Sequence, residues 1–246
     1  MTRFLVCCAL FLFVFASCET HLSSYSSGNT KLDNTVAVHA VDSLVVPYRK
    51  AMTEQMAEVI GYADSALFSY APESPLSNFV ADVIFETGLD YSVQNSICKD
   101  SKQIFSLLNF GGIRTSLNQG NITRGEIYEL MPFDNAIVIL EIQPEKMESM
   151  TAYLDTMNGQ PVSNAQFVFS EANREYVIGK NNAETYDSYF VVTSDYLAGG
   201  GDKMSFFNQP LNRWDTGILV RDALIGFIEK SDTVHYKNIE GRMYYP

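Results

Sequence analysis

The sequence predicts an α+β domain, because segments with helical spacing and short apolar runs typical of strands both occur, without strict strand–helix–strand alternation. Hydrophobic residues make up 46% of the 246-residue chain, which is enough for a packed core. We find no internal repeat and no boundary that would divide the folded part into two domains. A single layered domain is therefore expected.

Helices are predicted where apolar residues recur at steps of three and four, at 46–60, 74–88, 144–157 and 216–230. The second of these starts with Ser74 as a capping residue, has an early proline and ends near Gly88. Strands are predicted for the short apolar runs at 103–108, 136–142, 166–170 and 189–193. The run at 136–142 is expected to be a central strand of the sheet, and 118–121 has the composition of a turn.

The first 18 residues are typical of an export signal. Arg3 precedes an apolar run at 4–16, which is shorter than the roughly 20 residues that a membrane-spanning helix needs. The run ends in Phe15-Ala16-Ser17-Cys18, which resembles the cleavage box of bacterial lipoproteins, whose cysteine becomes lipidated. The alternative is ordinary signal peptidase cleavage with Cys18 present by chance. The first interpretation predicts an exported lipoprotein of the cell envelope, held on a lipid membrane.

The next segment, 19–43, is rich in Ser, Thr and Asn and poor in large apolar residues, as in a solvated tether. We therefore predict a signal peptide at 1–18, a flexible tether at 19–43 and one folded domain at 44–246. Once the signal is removed and Cys18 is lipidated, Cys98 is the cysteine left in the domain, and it is expected to be a small buried or loop residue.

The acidic charge of the chain narrows the possible partners. The formal net charge is −12 and the pI is about 4.6. A nucleic-acid-binding surface needs clustered Lys and Arg, so nucleic acid is not expected as a partner. A small anionic ligand remains compatible, because one local arginine can bind it.

Two segments share a design in which an apolar strand is followed by glycines and then a charged residue. We call 109–114 (Asn-Phe-Gly-Gly-Ile-Arg) the first glycine loop and 196–202 (Tyr-Leu-Ala-Gly-Gly-Gly-Asp) the second glycine loop. Glycines allow sharp turns and close approach of a ligand to backbone amides. Arg114 offers a fork of donors suited to phosphate or carboxylate, and Asp202 accepts hydrogen bonds from hydroxyl or amino groups.

Two aromatic residues complete this pattern. Phe133 follows Pro132, and Tyr196 begins the second glycine loop. Together with opposite charges on two loops they describe a site for an anion, hydroxyl groups and a flat ring, which is the outline of a nucleotide. The alternatives are that Phe133 is a core residue behind Pro132 and that Tyr196 simply ends a strand.

Four segments, in this order, resemble the C-terminal domain of the 5'-nucleotidase and UDP-sugar hydrolase family: 109–114, 125–135, 196–202 and 240–243. The resemblance extends from about residue 46 to the C-terminus and implies a layered α/β/β/α sandwich. It implies that Phe133 and Tyr196 enclose a nucleobase, that Asn109 bonds the base edge, that Asp202 holds the ribose hydroxyls and that Arg114 faces the phosphate. The implied substrate-binding residues are Asn109, Gly111, Gly112, Arg114, Phe133, Tyr196, Gly200, Gly201 and Asp202.

Two local departures from the family pattern concern the ligand. Family members commonly carry phosphate-binding arginines just before the helix that begins here near Ser74, where this sequence has Tyr70-Ala71-Pro72-Glu73. A nucleoside is therefore a possible ligand beside a nucleotide. Gly199 also stands where relatives often have a side chain, which removes one contact.

A larger departure concerns catalysis. In the family, a separate N-terminal metallophosphatase domain holds two metal ions with Asp, His and Asn. This chain has three histidines, His21, His39 and His235, and no Asp-x-His, Gly-Asn-His or His-x-His cluster. We therefore expect no catalytic residue, no metal site and no cofactor in this chain, and divalent metal ions only in a partner.

The resemblance implies a nucleotide- or nucleoside-recognition domain of a family of phosphoric monoester hydrolases, active in nucleotide catabolism. The leading hypothesis is that it acts with a separately encoded metallophosphatase. One alternative is a stand-alone lipoprotein that binds nucleosides or nucleotides without a catalytic role. Another is a scaffold that kept the fold and lost the ligand.

Overall fold

The computed structural model describes residues 39–98, 101–171, 173–179 and 186–246. The predicted signal peptide, Cys18 and residues 19–38 of the predicted tether lie outside this part. Contacts divide the chain into two units, 1–46 and 47–246, and the sheets described below belong to the second. None of the helices within the described residues has the length and hydropathy needed to cross a membrane.

The described helices are α1 (His39–Met56), α2 (Pro75–Gln94), α3 (Arg124–Leu130), α4 (Lys146–Thr156), α5 (Asp195–Ala198) and α6 (Val220–Ser231). The described strands are β1 (Val59–Ala63), β2 (Ile104–Leu107), β3 (Gly120–Thr123), β4 (Ala136–Ile142), β5 (Val162–Ser163), β6 (Ala165–Phe169), β7 (Arg174–Ile178), β8 (Tyr189–Ser194), β9 (Asn212–Leu219), β10 (Thr233–Val234) and β11 (Met243–Tyr244).

The largest sheet has the strand order β5-β2-β8-β4-β9. Strands β2 and β8 run parallel, with Ile104 opposite Phe190, whereas β4 is antiparallel to both β8 and β9. Every residue of β8 is buried, which explains its almost unbroken apolar sequence. The central position belongs to β8, and β4 is the interior strand next to it. Two smaller sheets have the orders β10-β1-β3 and β11-β6-β7. The predicted α+β class is confirmed.

The ends of α2 show where sequence reasoning succeeded and where it was wrong. Ser74 caps the helix through a reciprocal capping box with Ser77, as a capping residue before an early proline predicts. The helix does not end near Gly88 but continues to Gln94. A Cβ at Gly88 would lie 2.4 and 2.5 Å from the two γ carbons of Val192. Gly88 therefore lets α2 pack closely on β8.

We expect Gly88→Ala to lower the free energy of unfolding by roughly 1–2 kcal/mol, because the added methyl group overpacks the contact with Val192. Gly226→Ala in α6 is the matched control, since nothing lies within 4 Å of its Cβ position. That change should stabilise the protein by about 0.5–1 kcal/mol through helix propensity. Urea denaturation of both variants measures the difference, and equal effects would contradict the close contact.

The first and last predicted helices also have other bounds in the structure. Helix α1 begins at His39, inside the segment predicted as tether, and ends at Met56, because the residues from Val59 onwards pair in β1. The last helix does not begin at residue 216. Gly217 has a left-handed φ of +75°, which a helix does not accept, and residues up to Leu219 pair with β4.

Candidate ligand-binding site

A cavity of about 340 Å³ opens where the two glycine loops meet. The first loop follows β2 and the second follows β8 and overlaps α5, so the parallel pairing of these strands brings both loops to one edge of the sheet. Strand β4 is antiparallel to β8, so its first residues start at the same edge. The residues on the cavity wall are Asn109, Gly111, Gly112, Arg114, Phe133, Asn135, Tyr196 and Asp202.

This wall contains the residues predicted for the site, except Gly200 and Gly201. Those two glycines shape the second loop instead. Gly200 has a left-handed φ of +86°, and a Cβ at Gly201 would lie 2.6 Å from atoms of the Tyr196 ring. Any side chain at 201 would displace that ring. The structure also places Asn135 on the wall. This residue belongs to the family-like segment 125–135, but it is not among the predicted substrate-binding residues.

The two aromatic rings lie on the same cavity and reach solvent. Phe133 is 47% exposed and Tyr196 is 48% exposed. Phe133 is therefore not a core residue. Tyr196 lies just after the end of β8, in the first turn of α5. The part of each ring that is not packed against protein is available to a flat ligand.

Asp202 is the most connected polar residue of the site. Its carboxylate accepts a hydrogen bond from Nδ2 of Asn109 at 2.5 Å and from the Tyr196 hydroxyl at 2.8 Å. Its backbone N–H donates to the same hydroxyl at 3.3 Å, and its carbonyl accepts from the Tyr153 hydroxyl at 3.0 Å. These bonds hold Asp202 at a left-handed φ of 49°. Two protein donors thus leave part of the carboxylate open to a ligand.

The charge on Asp202 affects the tyrosines around it. The pKa of Tyr196 is raised above its ordinary value, mainly because its hydroxyl proton is shared with the Asp202 carboxylate. The pKa of Tyr153 is raised by burial and then by the negative charge of Asp202. Both hydroxyls therefore remain protonated donors across the physiological pH range.

Asn109 lies between the loops, with its amide nitrogen directed to Asp202. A Cβ at Gly112 would approach Oδ1 of Asn109 to 2.9 Å, and a Cβ at Gly111 would lie 3.3 Å from Oδ2 of Asp202. The two glycines of the first loop thus make room for this contact between the loops.

Arg114 is the cationic side chain on the cavity wall. It is exposed, and Nη1 donates to the Gly111 carbonyl at 3.1 Å. Its guanidinium carbon lies 6.0 Å from the centre of the Phe133 ring. Among the described residues it forms no ion pair with a carboxylate, so most of its donors are available to an anion.

The loop that carries Phe133 is supported from α6. Arg221 is 7% exposed, and its Nη2 donates to Asp134, the residue after Phe133, at 2.6 Å. The guanidinium also lies over the Tyr128 ring, 4.1 Å from its centre. Sequence reasoning missed this support, because no local pattern links residue 221 to residue 134.

The segment that departs from the family pattern, 70–73, does not reach the cavity wall. Glu73 is 5% exposed, and its carboxylate accepts from Asn78 Nδ2 and from the backbone N–H groups of Glu240 and Arg242, each at 2.7 Å. The family-like segment 240–243 therefore fastens the C-terminal part of the chain to the start of α2. In this structure the segment 240–243 holds the fold together through these bonds.

The described residues do not form a dinuclear metal centre. Throughout the described parts of the chain, His, Cys, Asp and Glu side chains nowhere form a group of three or more that can hold a metal ion. His235, the histidine whose side chain is described, bonds Asp64 at 2.8 Å on the surface.

Comparison with known proteins identifies the family of this fold. Residues 59–209 match the family described as 5'-nucleotidase, C-terminal domain. The trifunctional nucleotide phosphoesterase protein YfkN of Bacillus subtilis (strain 168) is 23% identical over 218 residues, which are 80% of this chain and 14% of YfkN. A 5'-nucleotidase of Vibrio vulnificus (strain CMCP6) is 24% identical over 61% of this chain and 28% of its own length.

Solved structures share the fold. The 5'-nucleotidase precursor from Thermus thermophilus has a TM-score of 0.64 and 23% identity, over 84% of this chain and 43% of its own. The NAD nucleotidase of Haemophilus influenzae has a TM-score of 0.60 and 16% identity, over 85% of this chain and 42% of its own. This chain thus spans less than half of each of these relatives. Since the family match covers more than half of the chain, the protein belongs to the 5'-nucleotidase C-terminal domain family.

Proposed function

We propose that this domain recognises the nucleoside part of a nucleotide and presents it to a metallophosphatase encoded separately. The observation that carries the proposal is that Phe133 and Tyr196, which are distant in sequence, line one cavity together with Asp202. A cavity with two exposed rings and a carboxylate suits a planar base joined to a sugar bearing hydroxyl groups. The names of the relatives, which include 5'-nucleotidases and a nucleotide phosphoesterase, support a nucleotide ligand.

Five of the eight wall residues have a role in this proposal. The base stacks on Phe133 and Tyr196, and the ribose hydroxyls donate to the open positions of the Asp202 carboxylate. Asn109 reaches the base edge with the amide hydrogen that is not directed to Asp202. Arg114 faces the phosphate, because it is the cationic side chain on the wall and keeps free donors.

Hydrolysis in this proposal takes place on the partner. The described residues offer no group fit for metal ions, and in this proposal the partner metallophosphatase supplies the metal-activated water. We further propose that the chain is exported and held on the cell envelope through lipid on Cys18, which would keep it beside an envelope phosphatase.

The binding part is tested by calorimetric titration of adenosine, guanosine, cytidine, uridine and their 5'-monophosphates. Saturable binding of at least one ribonucleoside is expected. The partner part is tested by adding the purified protein to a candidate metallophosphatase, where the rate of nucleotide hydrolysis should rise with the ratio of the two. An unchanged rate at every ratio would count against a catalytic partner and leave binding intact.

A second candidate, a nucleoside-binding lipoprotein without a catalytic partner, is favoured by one observation. Arg114 is the single cationic residue among the described residues of the wall. Glu73, in the segment 70–73 that departs from the family pattern, binds the C-terminal part of the chain and not the cavity. In this case nucleoside and nucleotide would bind with similar affinity, and the phosphatase rate would not change. If the nucleotide binds more tightly than the nucleoside, the result favours the first candidate.

A further inference from the structure

Both glycine loops are held from one place, the end of α4 and the turn that follows it. The hydroxyl of Tyr153, on α4, donates to the carbonyl of Asp202 in the second loop at 3.0 Å. Gln160 is 5% exposed, and its Oε1 accepts from the backbone N–H of Phe110 in the first loop at 2.9 Å. Neither side chain lies on the cavity wall.

These two supports are also joined to each other. The Gln160 side chain opposes the rise in the pKa of Tyr153 through a hydrogen bond, which is the effect of an amide that donates to the phenol oxygen. Two of the bonds have a direct geometric basis: the Phe110 N–H donates to Gln160, and the Tyr153 hydroxyl donates to the Asp202 carbonyl. Since a hydroxyl that accepts one bond while donating another is fixed in direction, the bond to Asp202 has a defined orientation.

The position of Asp202 depends on this support. It lies at a left-handed φ, which costs a residue other than glycine free energy unless surrounding bonds hold it. Its carboxylate is held by Asn109 of the first loop and by Tyr196, and both of these residues also lie on the wall that meets the ligand. Tyr153 instead holds the main chain of Asp202 from rigid helix α4, without needing to touch the ligand.

We propose that Tyr153 and Gln160 are positioning residues that set the spacing of the two glycine loops, and thereby the selectivity of Asp202 for a ligand with ribose hydroxyls. This inference rests on the proposed function, because it deepens the recognition of the sugar. It predicts that loosening the support affects the bonds to hydroxyls more than the stacking on Phe133, since the loop that carries Phe133 is tied to α6 by the bond between Asp134 and Arg221.

The test compares the tightest-binding ribonucleoside with its 2',3'-dideoxy analogue by calorimetry. In Tyr153→Phe, the affinity for the ribonucleoside should fall about fivefold, the value of one hydrogen bond, while the dideoxy analogue changes less than about twofold. Gln160→Glu should act in the same direction. Glutamate still accepts from Phe110 but cannot donate to Tyr153, so it diverts the tyrosine proton away from Asp202.

Tyr245→Phe is the matched control. It removes a tyrosine hydroxyl that also donates to a backbone carbonyl, that of Leu154 on the same helix α4, at 3.4 Å. The ratio of the two affinities should stay at the wild-type value in this variant. Thermal unfolding of each variant separates a local effect from loss of the fold.

The outcomes separate the two claims. If no ribonucleoside binds to the wild-type protein, the proposed function is wrong and this inference falls with it. If the wild-type protein discriminates the pair but Tyr153→Phe and Gln160→Glu keep its ratio, only the positioning role is wrong. An equal loss for both ligands would also overturn it, since a merely structural role would have that effect.

Discussion

Phe133→Ala and Tyr196→Ala are each expected to weaken ribonucleoside binding by about 1–3 kcal/mol, roughly 5- to 150-fold. Both rings are about half exposed on one cavity, so each offers surface that a base can cover. Aromatic stacking tolerates any base, and the loss should therefore appear for every ribonucleoside that binds. Calorimetric titration of the two variants measures the effect.

Two controls make this result specific. Phe68→Ala removes a ring that is 57% exposed but is not on the cavity wall, and it should bind like the wild-type protein. Tyr196→Phe keeps the ring and removes only the hydroxyl bonded to Asp202, so it should retain most of the stacking. If both alanine variants bind with wild-type affinity, the rings do not enclose the base.

Most residues that line the cavity were predictable because their signals are local. Each glycine loop shows a strand, glycines and a charged residue within a few positions, and the pairing of β2 with β8 then brings the loops together. The roles of Phe133 and Tyr196 stay predictions, but their shared cavity agrees with the geometry that the sequence pattern required.

The residues that support the site were not predictable. Tyr153 and Gln160 lie in or after an ordinary amphipathic helix, and their use depends on which loops the fold brings to them. The same holds for Gly88, which has the composition signal of a helix end but is a packing contact with Val192 on a distant strand. Spacing along the chain contains no information about such contacts.

The family-like segment 240–243 gives the largest expected effect on stability. Arg242 donates to both oxygens of Asp82 at 2.6 and 2.9 Å and to the Val162 carbonyl at 2.8 Å. Its side chain is 11% exposed and that of Asp82 is 18% exposed. We expect Arg242→Met to lower the free energy of unfolding by about 3 kcal/mol, because it leaves the Asp82 carboxylate poorly solvated without its cation. Urea denaturation measures the loss.

Arg213→Met is the matched control for that change. Its pair with Asp215 is equally short, at 2.7 Å, but the two side chains are 38% and 62% exposed. Solvent screens such a pair, so its loss should cost at most about 1 kcal/mol. The double variant Asp82→Leu with Arg242→Met should recover part of the loss, since no uncompensated charge remains. If Arg242→Met costs no more than Arg213→Met, the Arg242–Asp82 pair does not strengthen the attachment of this segment to α2, which then depends on the backbone bonds to Glu73.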